Sequence, residues 1–315
     1  MRLLRLLADG RFHSGEELGA LLGVSRSAVW KQLQQLQLQF GLTLHKVRGK
    51  GYRLEQPLSL LAAEVLSNRL PGYRFFIEEQ VASTNSVAIG YQALHEPPYV
   101  VLAEMQTAGR GRRGRHWTSP YGENLYFSQV IRVECSATQL QALSLVVGLA
   151  VLRTLRRLGV VAVGLKWPND LLVAGKKIAG ILLELNGDPA DICHVVIGIG
   201  INVNMLANDG IDQAWTSMYL ETGRLADRNE LAAALTEELE KALSSHKEQG
   251  FLAFREEWEC NHLWQGREVR LVSGVHEAVG TVLGVTIDGA LRLAIGGEEQ
   301  VFSGGELSLR LQHDS

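Results

Sequence analysis

The stretch Ala103-Glu104-Met105-Gln106-Thr107-Ala108-Gly109-Arg110-Gly111-Arg112-Arg113-Gly114-Arg115-His116-Trp117 joins two unlike kinds of chain. Upstream, Tyr99-Val100-Val101-Leu102-Ala103 is an apolar run of strand length. Four arginines and three glycines then fall within residues 109–115. A strand therefore delivers a cationic loop. The glycines let backbone approach a ligand closely, and the guanidinium groups are planar, permanently charged donors suited to phosphate or carboxylate oxygens. The pattern points to an anionic ligand. Gly109, Gly111 and Gly114 satisfy G-x-G-x-x-G, but residues 116–122 read as a turn, whereas a dinucleotide fold needs a helix there. An arginine-glycine tail that binds nucleic acid belongs in a low-complexity tract, and this loop lies between apolar strands. A solvated charged loop is the commonest fate of a charge run; the rest of the chain weighs against it.

Downstream, Asn124 to Val133 reads as a strand and Gln139 to Leu158 as a long apolar-periodic helix ended by Gly159. Gly164-Leu165-Lys166-Trp167-Pro168-Asn169-Asp170-Leu171-Leu172-Val173 follows. A hairpin turn explains Pro-Asn-Asp, but not a cation, an aromatic plate, an amide and a carboxylate within five residues. The segment Ala174-Gly175-Lys176-Lys177-Ile178-Ala179-Gly180-Ile181 is a two-lysine turn entering a strand. Val195 to Asn204 is an apolar strand ending in Asn202 and Asn204. Upstream, Arg74 to Val81 reads as a strand that ends at Ser83-Thr84-Asn85, which offers two hydroxyls and an amide for directional hydrogen bonds. The same triplet would also serve as a helix cap. Ala62 to Leu70 is expected to be helical, capped by Ser59 and stopped by Pro71-Gly72. This order of elements implies a mixed α+β sheet with cationic and amide groups at strand ends.

The first 56 residues have a different character. They hold nine Lys/Arg against four acids, a charge of +5, while the whole chain of 315 residues carries -3. A basic module on an acidic body suggests a polyanionic partner for the module alone. Ser14-Gly15-Glu16-Glu17 has the form of a capping box, so a helix should run from Gly15 to Leu22 and end at Gly23. Ser25 caps a second helix, Arg26 to Gln39. Its apolar stripe is Val29, Leu33, Leu36 and Phe40, and its opposite face carries Arg26, Ser27, Trp30, Lys31 and Gln34. Strands at 43–47 and 52–54 flank a basic tip. The whole reads as a winged helix-turn-helix, with the second helix reading base edges and Lys46, Arg48 and Lys50 meeting phosphates. A small helical interaction domain with solvated charges is the other reading.

Composition bounds the remainder. At 46% hydrophobic and 21% charged the chain is of ordinary globular type, and no apolar run approaches a membrane span. A cytoplasmic protein is expected. Cys135, Cys193 and Cys260 are odd in number and widely spaced, so buried free thiols are expected, neither a disulfide framework nor a zinc site. Gly223 to Lys247 and Phe251 to Cys260 read as helices. After Gly266 five short strands, at 268–272, 280–285, 290–295, 300–302 and 307–311, suggest a small SH3-like barrel.

Five motifs, in order, resemble those of the biotin protein ligases: Ser83-Thr84-Asn85, Gly109 to Arg115 with Trp117, Lys166-Trp167-Pro168-Asn169-Asp170, Lys177-Ile178-Ala179-Gly180-Ile181-Leu182, and Gly200-Ile201-Asn202-Val203-Asn204. With the basic module in front, the chain is similar over essentially its full length to the bifunctional biotin ligases that also repress the bacterial biotin operon. His116 stands where many members carry Lys or Arg. The resemblance implies a winged helix-turn-helix at 1–56, a linker and the start of the first central helix at 57–64, a mixed-sheet ligase domain at 65–262 and an SH3-like domain at 263–315.

It also implies roles. Ser83, Thr84, Asn85, Gln106, Arg110, Gly111, Arg112 and Lys177 would bind biotin. Arg112, Arg115, Trp117, Asn169, Asp170 and Asn202 would bind ATP and the adenylate. Lys177, Arg112, Asp170 and Lys166 would serve catalysis, with Mg2+ accompanying ATP near Asp170. The implied partners are the biotin carboxyl carrier protein and operator DNA, with a homodimer when the adenylate is bound. Two other readings stay open: a ligand-sensing transcription factor with an inactive ligase domain, and a lipoyl or octanoyl transfer enzyme on a related fold. The latter would need an activated cysteine.

Overall fold

The computed structural model describes residues 2–134, 137–186, 192–273, 276–304 and 307–311. Its first elements are α1 (Arg2–Leu7), α2 (Gly15–Leu22), α3 (Arg26–Phe40) and the antiparallel hairpin β1 (Leu44–Val47) and β2 (Gly51–Leu54). Ser14 and Glu17 make both halves of the capping box, and Ser25 Oγ accepts from the Ala28 N–H. Left-handed Gly23 and Gly41 close α2 and α3. The predicted stripe Val29, Leu33, Leu36 and Phe40 is buried. Helix α1 was not expected; its Leu3, Leu4 and Leu7 complete the same core. Gly51, at φ +104°, lies so close to α2 that a Cβ would stand 2.0 Å from the His13 carbonyl oxygen. The hairpin is thereby held against the helices through backbone bonds between His13 and Tyr52.

The chain continues with α4 (Ala63–Arg69), β3 (Arg74–Val81), α5 (Thr84–Tyr91), β4 (Tyr99–Gln106), β5 (Leu125–Glu134), α6 (Ala137–Arg157), β6 (Gly164–Lys166), β7 (Asp170–Val173), β8 (Lys176–Asn186) and β9 (Ile192–Ile201). Then come α7 (Met218–Thr222), α8 (Arg228–Gln249) and α9 (Leu252–Asn261). Strands β3 to β9 form one sheet in the order β3-β4-β5-β9-β8-β7-β6, with β3 and β4 parallel and the other pairs antiparallel. Alternate residues of β4 serve opposite faces. Val100 and Leu102 join the large core under α6 and α8, while Tyr99 and Val101 pack with Ala88 of α5.

Ser59 does not cap α4, which starts from Ala62 with no side-chain cap. Its hydroxyl instead accepts from the Arg228 N–H at 2.9 Å and donates to Asp227 at 3.2 Å. The competing attraction is a buried ion pair. Arg228 and Glu104 meet beneath residues 59–61, where Arg228 also donates to the Ser59 and Asn124 carbonyls and Glu104 accepts from the Leu61 N–H. Beside the ion pair, the guanidinium thus directs Nε and Nη1 at backbone oxygens, which helps offset the burial of its charge.

Five antiparallel strands finish the chain: β10 (Glu268–Ser273), β11 (His276–Val285), β12 (Leu291–Ile295), β13 (Glu298–Phe302) and β14 (Ser308–Leu311), in the order β13-β12-β11-β10-β14. Strand count and pairing match the small SH3-like unit expected. Its Val269, Leu271, Val285 and Leu293 belong to the same core as the ligase sheet, so the two are packed as one body. The N-terminal core is separate and takes Tyr121 from the central region, 4.4 Å from the ring of Phe40.

The thiol expectation fails at both described cysteines. Cys193 is buried but disulfide-bonded, and Cys260 is an exposed free thiol on the outer face of α9; Cys135 lies outside the described residues. Spacing in sequence cannot report which strand ends meet. Among the described residues no helix is long and apolar enough to cross a membrane.

Candidate functional site

A cleft of about 750 Å³ opens at the ends of β4, β7, β8 and β9, roofed by the loop after β4 and bordered by β14. Ser83, Thr84, Asn85, Gln106, Arg110, Gly111, Arg112, Arg115, Trp117, Lys166, Asn169, Asp170, Lys177 and Asn202 all line it. Motifs separated by more than a hundred residues in sequence therefore share one cavity.

One end is neutral and rich in directed hydrogen bonds. Ser83 enters at the N-cap of α5, although its hydroxyl makes no cap bond, so the capping explanation of the triplet does not hold. Thr84 donates to Gln106 Oε1 from both its N–H (2.9 Å) and its hydroxyl (3.2 Å). This orients the Gln106 amide so that Nε2 donates to Ser119 Oγ at 3.0 Å. Ser128 of β5 has a single proton and two acceptors, Thr84 Oγ1 at 2.7 Å and Asn85 Oδ1 at 2.6 Å. The Ser128 hydroxyl thus links Thr84 and Asn85 in one buried network. Asn85 fits here only because Gly198 has no side chain; a Cβ there would stand 2.4 Å from Asn85 Oδ1.

The other end is cationic. The loop folds on itself through Gly111 N–H to Arg115 O (2.7 Å) and Trp117 N–H to Gly109 O (2.9 Å). The Trp117 indole lies flat on the sheet, where a Cβ on Gly200 would come within 2.4 Å and one on Gly180 within 3.1 Å of it. Its buried indole N–H meets no acceptor among the described residues. Lys177 Nζ sits 5.3 Å from the same ring and 2.7 Å from Asp170 Oδ1. Arg112 donates to Asn169 Oδ1 at 2.9 Å and to the Gly304 carbonyl, tying loop, turn and C-terminal sheet together. Burial pulls the Arg112 pKa down, with Asp170 opposing; a guanidinium nonetheless keeps its charge. Burial likewise holds the Lys166 pKa below the ordinary lysine value against the pull of Asp170, and its Nζ rests 4.9 Å over Trp264. Asn202 donates to the Thr216 and Lys177 carbonyls (3.0 and 3.3 Å), bracing the backbone that carries Lys177.

Arg26, Ser27, Trp30, Lys31 and Gln34 are all exposed on one face of α3, and Lys46, Arg48 and Lys50 are exposed along the hairpin. Trp30 stacks on Tyr52 (6.0 Å) beneath Lys46 Nζ (4.5 Å), so helix and wing form a continuous basic surface.

Residues 78–202 match the model of the "Biotin/lipoate A/B protein ligase family", and residues 1–53 match that of an "HTH domain". The bifunctional ligase/repressor BirA of Escherichia coli is 40% identical over 98% of this chain and 97% of its own length. The chain belongs to the bifunctional biotin ligase/repressor family. The corresponding Bacillus subtilis protein is 32% identical over 91% of this chain and 90% of its own. Among solved structures, the biotin protein ligase of Aquifex aeolicus in complex with biotin and ATP superposes with a TM-score of 0.67 at 31% identity, covering 76% of this chain and 99% of that one.

Several lining or supporting residues escaped the sequence reading: Ser119, Ser128, Asp212, Trp215 and Arg310. Ser128 did leave a signal, a single serine between the apolar residues Phe127 and Val130 of strand β5. The others come from loops and a barrel strand whose approach to the cleft only the tertiary fold decides.

Proposed function

We propose that this cleft joins biotin to ATP as biotinyl-5'-AMP and passes the biotinyl group to a lysine of the biotin carboxyl carrier protein, while the N-terminal module binds operator DNA. The observation that carries the reading is the polarity of the cavity: a neutral, hydrogen-bonding end at Ser83, Thr84, Asn85 and Gln106 suits a ureido ring, and a cationic end suits a carboxylate meeting a triphosphate. The division of labour follows segments 1–56, 57–64, 65–262 and 263–315, although α4 begins at Ala63 and runs across the second boundary.

In the first step a carboxylate oxygen attacks the α-phosphorus and pyrophosphate leaves. Lys177, Arg112 and Arg115 offset the repulsion of the two anions and the charge that grows on the phosphoryl oxygens. Asp170 holds the Lys177 ammonium in place, Asn169 orients Arg112, and Lys166 adds positive charge at the nucleotide end. Trp117 lies beneath the closed loop and supports it from the sheet. The loop from Gly109 to Arg115, with Arg110 and Gly111 over the biotin end, excludes water from a labile mixed anhydride. In the second step the amine of the acceptor lysine attacks the acyl carbon and AMP leaves.

Mg2+ would travel with ATP. Among the described residues no group of three His, Cys, Asp or Glu forms a protein cage, and a phosphate-borne Mg2+ needs only one or two carboxylates. Asp170 at the cleft wall meets that need, and the ion would neutralise phosphate charge. By the same reading, the adenylate favours a homodimer suited to a two-fold operator.

A sensor that has lost its chemistry would not need the Lys177–Asp170 pair or the intact arginine loop. An acyl transferase with a cysteine nucleophile would need a thiol at the cleft, and among the described residues no cysteine lines it. Transfer of labelled biotin from preformed biotinyl-5'-AMP to the carrier domain tests the second step directly. Transfer is expected, and its absence with the adenylate tightly held would support the sensor.

A further inference from the structure

Glu184 of β8 is not a wall of the cleft, yet it holds two residues that are. Both of its carboxylate oxygens accept from Arg110 Nη2, at 3.0 and 3.1 Å, and Oε2 also accepts from Asn85 Nδ2 at 2.6 Å. Arg110 is gripped from a second side, its Nη1 donating to Ser86 Oγ at 2.9 Å. The guanidinium at the start of the roof loop is thus fastened to two different elements, α5 through Ser86 and β8 through Glu184.

We infer that Glu184 is a positioning residue that latches the roof loop through Arg110 and so sets how long the acyl-adenylate is retained. The argument is geometric. Arg110 lies one residue after Gly109, whose close packing fixes the base of the loop; a Cβ there would meet the Trp117 carbonyl at 2.5 Å. Opening the loop while its base stays fixed requires Arg110 to leave its anchors. The Glu184 bond is charge-assisted on both sides, and among the described residues Glu184 is the one carboxylate paired with Arg110. The same carboxylate orients Asn85, so latch and ureido end are set by one group. Arg110 is 43% and Glu184 28% exposed, which leaves the pair open to screening by salt.

The inference rests on assigning the loop to biotin and adenylate binding. The test compares release of preformed biotinyl-5'-AMP from the wild-type full chain, Glu184→Gln, Ser86→Ala and Arg112→Ala at low and high ionic strength. Glu184→Gln keeps shape and an acceptor for Asn85 but removes the charge. It is expected to release the adenylate roughly five- to tenfold faster at low salt. Salt should hasten release from the wild type more than from Glu184→Gln, a difference that a merely structural role would not show. Ser86→Ala is expected to release it about twofold faster, as for loss of one ordinary hydrogen bond in a polar setting. It carries the test if Glu184→Gln does not fold. Wild-type release from both variants, with Arg112→Ala impaired, would overturn the latch and leave the loop assignment standing. Wild-type retention by Arg112→Ala as well would overturn the assignment itself.

Discussion

Lys177 Nζ stands 2.7 Å from Asp170 Oδ1, so the ammonium proposed to meet the reacting carboxylate is held by a carboxylate from the neighbouring strand. Both side chains are mostly buried, which keeps the cation aimed before any substrate arrives. Replacing Lys177 with Ala should lower adenylate synthesis by roughly a hundredfold, in the range seen when a preorganised charge-stabilising group is removed. Biotin-dependent exchange of labelled pyrophosphate into ATP measures it, and near-normal exchange would remove Lys177 from the mechanism.

The flat seat of Trp117 gives a steric prediction. A methyl group on Gly200 would come within 2.4 Å of the indole, so Gly200→Ala must displace the ring and the loop above it. Adenylate affinity should fall by about tenfold or more, as overpacking at this scale commonly costs 1–3 kcal/mol. Calorimetric titration with a non-hydrolysable adenylate analogue is the check, and unchanged affinity would show that the ring does not support the site.

The Arg228–Glu104 pair should matter for stability. Arg228→Met leaves the Glu104 carboxylate buried and uncompensated, at a cost of about 3–5 kcal/mol. The Ser59–Leu61 segment loses its anchor as well. Urea unfolding of the two proteins gives the difference directly. The double variant Arg228→Met with Glu104→Leu should recover a substantial part of it, because the unpaired charge is then gone.

Glu123 carries a pH dependence. Burial pushes its carboxyl up to about 7, against the pull of Arg228. The folded state therefore binds more protons than the unfolded chain between the ordinary carboxylate range and pH 7, and this group's contribution to stability falls as pH rises through that window. Glu123→Gln should remove the penalty. Its stability relative to wild type should be greater at pH 8 than at pH 4.5 by on the order of 1–2 kcal/mol. Equal differences at both pH values would contradict the assignment.

Wing and helix predict different DNA phenotypes. Arg48→Ala and Lys50→Ala remove charges from the exposed tip, so each should weaken binding to operator and unrelated DNA alike and lower the salt slope by about 1. Trp30→Ala unseats Lys46 as well as the helix face, and it should reduce operator binding more than non-specific binding. Fluorescence titrations across a salt series would separate the two.

Most of this architecture was legible in the sequence because its signals are local. The Ser14–Glu17 box, the stripe from Val29 to Phe40 and the turn at Pro168 each declare themselves within a few residues. The cleft residues were legible as motifs, although their meeting depends on a sheet whose order no spacing reveals. What escaped has a common physical cause. Ser59 had the right type for a cap but was claimed by Arg228, which lies 169 residues away. Cys193 and Cys260 looked alike as isolated thiols but lie in a buried strand and on an exposed helix face. Ser128 and Glu184 act through side chains that meet α5 and the roof loop, so only the packing of helix and loop on the sheet connects them to Thr84, Asn85 and Arg110. Long-range pairing, unlike periodicity, leaves no local trace.

The most direct test is pyrophosphate release by the full chain with ATP, Mg2+ and either biotin or octanoate. Release that depends on biotin, is at background with octanoate and is lost in Lys177→Ala is the expected result. Release with octanoate but not biotin, or none with either acid despite tight biotin binding, would contradict the assignment of this cleft as a biotin-adenylating site.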